Sequence, residues 1–403
     1  MKSFLIKLNK TWNIIKRNGI ISGGKIVFGY VKNYLKSFLV ESGDILFVTG
    51  GIGDKAHFRA FGVAEELRMH NFKCAVTVAD NFNLSKLADR FKIFVLHKVT
   101  YNEKIAKFIE IIKKQNKEII FDTDDLDFDP QYLKDMDYFS RISSAEKSEY
   151  AKGIGAETLN DPYVKVCTTT VSYLAEKLKE KNKKVFIVSN KISNHELEIA
   201  EKFIKKEKKS DGFLRLGYYS GTLSHNKDFA TISEALLEIL EKNKKVKLLL
   251  AGPLDIENKL NKFQDRIEIL PRVSRGEYYA NVYKCDINLV PLEIDNPFCE
   301  SKSELKFFEA GILSIPTVAV RNQTFFEAIS DGVDGFLAGN PSEWVEKISR
   351  LIEDKELRRE MGQKAREKSL RDYTNINSHN EEYYNYLRSC IMNPASSADK
   401  HKA

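Results

Sequence analysis

The sequence predicts an α/β protein of two doubly wound domains, on three observations. Its 403 residues exceed one ordinary domain of roughly 150 residues. From Asp44 onward, short apolar runs bounded by polar segments alternate with helical patterns, as a parallel sheet with helices on both faces requires. The lysine-rich segment 202–212, ending Ser210-Asp211-Gly212, interrupts this grammar, which restarts at Leu214. Hydrophobic residues at 42% and charged residues at 30% exclude collagenous, wholly disordered and multi-spanning classes.

The first series runs Ile45-Leu46-Phe47-Val48-Thr49, the turn Gly50-Gly51-Ile52-Gly53, and a helix through Ala60, Val63, Ala64 and Leu67. Strands follow at Cys74–Val78, Ile93–Leu96 and Ile119–Phe121, with a helix near 103–115, and again at Val164–Cys167 and Val185–Val188. The second series predicts strand segments within Leu214–Gly221, Val246–Gly252, Ile267–Leu270, Ile287–Pro291 and Thr317–Ala319. Its helices are expected at 228–241, 302–312 and from 342 onward. The expected organisation is an arm at 1–43, a first domain at 44–208, a second at 209–375, and a C-terminal helix with polar tail at 376–403. Ligands of such sheets bind beyond the carboxyl ends of the strands, so chemistry is expected in a central cleft between the domains.

The charge is concentrated at the front. Residues 1–40 hold Lys2, Lys7, Lys10, Lys16, Arg17, Lys25, Lys32 and Lys36 with no Asp or Glu, a net of +8 in a chain of +7, so residues 41–403 are balanced at −1. That balance excludes a general nucleic-acid footprint. The arm reads as two amphipathic helices, with apolar spacing at Phe4, Leu5, Leu8, Trp12, Ile15 and at Ile26, Val27, Tyr30, Val31, Tyr34, Leu35, Phe38. No stretch approaches 18 apolar residues, and lysines interrupt it too evenly for a signal-peptide core. Cations interleaved with aromatics suit an anionic membrane surface; the alternative is that the arm packs on the first domain. Five cysteines without a C-x-x-C pair support neither a disulfide framework nor a zinc ribbon and fit a reducing cytoplasm. The expected location is cytoplasmic, peripheral on the inner membrane face.

The Gly51-Ile52-Gly53-Asp54-Lys55-Ala56 turn, with Asp80 after the second strand, keeps a nicotinamide dehydrogenase in view, because glycines there let backbone approach a phosphate. Any tight strand-to-helix turn favours the same spacing. The run Asp122, Asp124, Asp125, Asp127 and Asp129 suggests a D-x-D metal site, but it lacks the glycine and distal glutamate of a calcium loop. No metal and no cofactor are expected.

The series Tyr219–Phe229, Leu249-Leu250-Ala251-Gly252, Cys285–Leu292 and Lys302-Ser303-Glu304-Leu305-Lys306-Phe307-Phe308-Glu309-Ala310-Gly311…Pro316-Thr317-Val318-Ala319 resembles the donor domain of family-4 retaining glycosyltransferases of the GT-B fold, the glycosyl transferases of group 1. The likeness runs in order over 214–375. Phe121–Pro130 and Val166–Ala175 resemble that family's acceptor-domain landmarks. The resemblance implies two Rossmann-like domains and transfer of a sugar from a nucleoside-diphosphate donor, which needs the growing charge on the diphosphate held in place.

On that resemblance Lys227 matches the phosphate lysine, and Gly221, Thr222 and His225 form the turn before it, with Thr222 where many members carry arginine. Lys302, flanked by Ser301 and Ser303, supplies further charge and donors. Glu309 is the second acid of an E-x7-E signature and is implied to hold the ribose. Ser301 stands where the first acid belongs, with Glu300 one residue early. The plainer reading of Lys302, Lys306 and Glu309 is a solvated helical face with i,i+3 and i,i+4 pairs, and of His225 a turn cap. Gly51, Gly53, Lys55 and His57 border the implied acceptor site, where Asp124 and Asp125 would hydrogen-bond acceptor hydroxyls unless one caps a helix. Lys227, Lys302, Glu309 and Asp125 make up the expected catalytic set, with no protein general base. The expected partners are a nucleotide-sugar, a glycan, lipid-linked or polymeric acceptor in cell-surface glycan synthesis, and an anionic membrane surface, but no nucleic acid. A nucleotide-sugar 2-epimerase and a catalytically silent GT-B partner protein are the alternatives.

Overall fold

The computed structural model describes residues 24, 27–29, 31, 32, 34–53, 56–137, 139, 142–206, 208, 211–220, 226–252, 254, 258–271 and 273–392. Residues 1–23, including Trp12, and the expected site residues Lys55, Gly221, Thr222 and His225 lie outside them.

The chain forms two compact units. The first comprises residues up to Leu133, Ile142–Lys191 and those from Ser378, and the second Lys134–Arg141 with Ile192–Asn377. In the first, β1 (Ile45–Thr49), β2 (Cys74–Val78), β3 (Ile93–His97), β4 (Glu118–Asp122), β5 (Val166–Thr169) and β6 (Lys184–Ile187) form one parallel sheet in the order β2-β1-β3-β4-β5-β6. Every residue of β1, β3 and β4 is buried, the reason the apolar runs Ile45–Val48, Ile93–Leu96 and Ile119–Phe121 show no polar alternation. In the second unit, β7 (Leu214–Tyr219), β8 (Val246–Ala251), β9 (Ile267–Leu270), β10 (Ile287–Val290), β11 (Thr317–Val320) and β12 (Phe336–Ala338) pair in parallel in the order β12-β11-β10-β7-β8-β9. Strand β12, three residues long, carries too short a pattern to be read from sequence.

Gly311 and Gly252 are among the glycines demanded by close approach. A Cβ on Gly311 would collide with Ser369 and Ala365, where the helix Leu305–Gly311 meets the helix Lys355–Asp372. Gly252, at φ +89° after β8, would collide with the Ser220 carbonyl after β7.

The unit boundaries correct the expected ones. The chain crosses at 191/192 and not at 208/209, because the helix Asn194–Ile204, opened by a Ser193–Glu196 capping box, belongs to the second unit. The lysine-rich segment therefore follows the crossover. The C-terminal helix Glu381–Met392 returns to the first unit, burying Tyr383, Tyr384, Leu387 and Cys390 in its core. There the Tyr384 and Ser378 hydroxyls donate to the buried Glu66 carboxylate at 2.5 and 2.7 Å, and Lys191 pairs with it at 2.8 Å.

The described part of the arm both packs and exposes itself. Thr77 Oγ1 donates to the Ser37 carbonyl at 2.7 Å, and the rings of Tyr34, Phe38 and Phe82 stand 5.1 and 5.5 Å apart in series. Phe28, Val31 and Leu35, on the outward side of the same helical stretch, are exposed.

Burial at the start of β4 pushes the Glu118 carboxyl up to about 7 from 4.5. A raised folded-state value means the native state binds the extra proton, so stability falls as pH rises from about 4.5 to about 7 and is level above that. Glu118→Gln is expected to melt with wild type at pH 4 and above it at pH 8, by up to about 3 kcal/mol. Coincident melting curves at pH 8 would refute the burial penalty.

Candidate functional site

In the second unit, the chain leaves β7 toward β8 on one side and returns through β10 on the other, which opens a crevice beyond the carboxyl ends of β7 and β10. The short helix Asn226–Ala230 after β7 carries Lys227. After β10 come Glu293, the helix Pro297–Glu300 capped by Asn296, then Lys302, Ser303 and the helix Leu305–Gly311. The fold thus gathers Lys227 and the 300–309 group at two adjoining strand ends, although they lie some seventy residues apart.

Their environments differ sharply. The Lys227 side chain is 61% exposed, with Nζ 3.9 Å from Asp137. Lys302 is half-buried, its Nζ 4.4 Å above the Phe298 ring. Ser303 is half-buried, and so is Glu300, which accepts from the Gln323 amide at 3.3 Å; burial pushes the Glu300 carboxyl up. Ser301 is fully buried, and its hydroxyl donates to the Phe298 carbonyl at 2.7 Å, closing the preceding helix.

Glu309 does not sit on a solvated face. It is 2% exposed, with Arg275 Nη2 donating to Oε1 and the Tyr278 hydroxyl to Oε2 at 2.8 Å. Arg275 also pairs with Glu196 at 2.7 Å and lies 4.8 Å over the Tyr278 ring. Burial pushes the Glu309 carboxyl up while Arg275 and Tyr278 work against it. Sequence reasoning missed Arg275 and Tyr278; the available signal was Ser274-x-x-Glu277, a capping box that opens their helix. Lys306 is likewise half-buried, its Nζ 4.9 Å over the Tyr218 ring. Nearby, Asp228, Glu293 and Cys299 bring one ligand atom each within 4.8 Å of the others. There the Cys299 thiol, pushed up by burial, donates to Asp228 Oδ1 at 3.3 Å.

In the first unit the crevice lies beyond β1 and β3. A Cβ on Gly51 or Gly53 would meet nothing within 4 Å, so packing does not demand glycine at either place. His57 begins a π-helical turn, His57–Gly62, which carries Arg59 beneath the sheet ends. The acidic run is organised by Lys98, missed from the sequence, whose Nζ stands 2.8, 2.9 and 2.7 Å from Asp124, Asp125 and Asp127. Asp125 makes no side-chain cap bond to the turn it precedes. Below them, His97, Asp122 and Thr168 are register partners across the sheet. Buried Asp122 binds Arg59 at 2.5 Å, His97 Nδ1 at 2.7 Å and Thr168 Oγ1 at 2.7 Å. Asp80, the ribose acid of a dehydrogenase reading, accepts from the Tyr34 hydroxyl at 3.4 Å.

Residues 215–354 match the family model described as Glycosyl transferases group 1. An uncharacterized glycosyltransferase of Methanocaldococcus jannaschii, MJ1178, is 30% identical over 166 residues, 39% of this chain and 44% of that protein, so the match spans under half of the relative's length. Among solved structures, Anabaena HepE in complex with UDP superposes with a TM-score of 0.59 at 13% identity over 86% of this chain and 100% of that one. A Rickettsia africae glycosyltransferase gives 0.58 at 13% over 88% and 100%. A sucrose-phosphate synthase of Thermosynechococcus elongatus gives 0.56 at 12% over 86% and 99%. The chain therefore has the GT-B fold, and its residues 215–354 are similar to the glycosyl transferases of group 1.

Proposed function

We propose that the protein is a retaining, metal-independent glycosyltransferase that moves a sugar from a nucleoside-diphosphate donor to a saccharide, lipid-linked or polymeric acceptor in cell-surface glycan synthesis. The observation that carries this reading is the meeting of Lys227 and Lys302 at the adjoining ends of β7 and β10, inside the segment matched to group 1 glycosyltransferases. As the glycosidic bond breaks, charge grows on the leaving diphosphate. Ammonium groups carried by these two strand ends would stabilise that charge. HepE, which shares the fold, is described in complex with UDP and with UDP-glucose.

On the acceptor side, Lys98 holds the Asp124 and Asp125 carboxylates in place, where they can accept from sugar hydroxyls. Gly51, Gly53 and His57 lie at the neighbouring strand end. Retention requires no protein base when the departing phosphate assists removal of the acceptor proton. Ser301, whose hydroxyl is spent within its own turn, has no part in this scheme.

The test is calorimetry with uridine, guanosine and adenosine diphosphates. One of them is expected to bind, and alanine at Lys227 or Lys302 to weaken it about tenfold or more, each charge-assisted contact contributing about 1.5–3 kcal/mol. Unchanged affinity in both variants would remove the donor site. Release of diphosphate from the matching nucleotide-sugar separates an enzyme from a silent GT-B partner.

The arm suits an anionic membrane. Its described part turns Tyr34 and Phe38 inward and leaves Phe28, Val31 and Leu35 exposed beside Lys32 and Lys36. Deleting residues 1–40 is expected to abolish salt-sensitive binding to phosphatidylserine vesicles and to spare donor hydrolysis, because surface attraction is screened over roughly 8–10 Å. Vesicle binding as strong as wild type would end the membrane reading.

A further inference from the structure

Several enclosed lysines of this protein are paired with carboxylates, and Lys306 is not. Lys98 holds three carboxylates between 2.7 and 2.9 Å, Lys191 holds Glu66 at 2.8 Å, and Lys347 holds Asp331 at 3.1 Å. Lys117 and Lys183, also half-buried, donate instead to the backbone carbonyls of Ala88 and of Asp161 and Val164, so these ammonium groups too have oxygen partners that offset the cost of burial. Lys306 is half-buried too, yet among the described residues no carboxylate lies within 4.0 Å of its Nζ. Its partner is the face of Tyr218, 4.9 Å away. The acids that influence it are Asp228 and Glu309, and both are engaged elsewhere: Asp228 accepts from the Glu293 amide and the Cys299 thiol, and Glu309 from Arg275 and Tyr278. Burial pushes the Lys306 ammonium down, and Lys302 adds to that by like-charge repulsion.

The position of this charge matters as much as its lack of an anion. Lys306 follows β10, and the Tyr218 ring beneath it belongs to β7 and stands 5.0 Å from Phe229, on the helix that carries Lys227. Lys306 therefore lies between the two strand ends that frame the crevice. We propose that Lys306 is a diphosphate ligand of the nucleotide-sugar donor. The inference rests on the donor reading above. An entering diphosphate completes the pairing that the fold withholds and relieves the repulsion between Lys306 and Lys302, so its binding couples to two unfavourable terms of the ligand-free state.

The experiment compares the full chain with K306M and K306R by calorimetry with inorganic pyrophosphate and with uridine, guanosine and adenosine diphosphates, alongside melting without ligand. K306M keeps the length and apolar stem of the side chain and removes the charge. It is expected to bind pyrophosphate and the preferred nucleoside diphosphate about tenfold or more weakly, while melting at or above the wild-type temperature. K306R is expected to bind within a few-fold of wild type. A structural cation gives the opposite pattern, with K306M melting lower. Undiminished affinity in K306M, or lost affinity with a lowered melting temperature that K306R does not rescue, would overturn the role of Lys306 and leave the donor reading standing. Failure of the wild-type protein to bind any of the four probes would overturn both.

Discussion

Asp122→Ala is expected to cost about 3–5 kcal/mol, because it strands the Arg59 guanidinium, 1% exposed, beneath the first sheet with no anion. His97 and Thr168 lose their acceptor in the same step. Burial alone would raise Asp122, but the charge of Arg59 and the hydrogen bond of His97 outweigh it and hold the carboxyl well below the usual range. The stability it confers is thus complete above about pH 3.8 and is lost only as pH falls toward the depressed value. The gap between wild type and Asp122→Ala should be constant from pH 5 to 8 and close in strong acid. Pairing Arg59→Met with Asp122→Leu should recover most of the loss, since an apolar pair strands no charge. Equal melting of the single variant and wild type at pH 7 would show that the network contributes nothing.

Glu309→Gln is the second large effect, and the ribose-clamp reading and the packing of the residue make opposite claims about it. A ribose clamp loses affinity and keeps its fold. In the structure the carboxylate neutralises Arg275 inside the second unit, so the amide is expected to lower stability by about 3 kcal/mol, or roughly 6–12 °C in melting temperature. Arg275 keeps Glu196, which limits the loss. Nucleoside diphosphate affinity measured well below the new transition distinguishes the cases. Weakened binding with an unshifted melting temperature would return Glu309 to the donor; a lowered melting temperature with near-normal binding fits a residue that braces the helix bearing Lys306.

The sequence alone determined the two sheets and nearly all their strands. Buried parallel strands must be apolar on both faces, and that leaves a local signature at Ile45–Thr49, Val246–Ala251 and Ile287–Val290. It also pointed to the carboxyl ends of the strands as the place for a ligand, because open α/β sheets bind ligands there. Charge partners were a different matter. Lys98 is 26 to 29 residues from the carboxylates it holds, Arg59 is 63 from Asp122, and Arg275 is 34 from Glu309. No periodicity encodes such pairs. Whether an acid is solvated, paired or poised for a ligand depends on which side chains the folded sheet brings within 4 Å. For the same reason Lys302 and Lys306, four residues apart and alike in composition, could not be told apart before the fold set one above Phe298 and the other above Tyr218 without an anion. The return of the helix Glu381–Met392 to the first unit was equally invisible, since its apolar face specifies that it must be covered but not by which core.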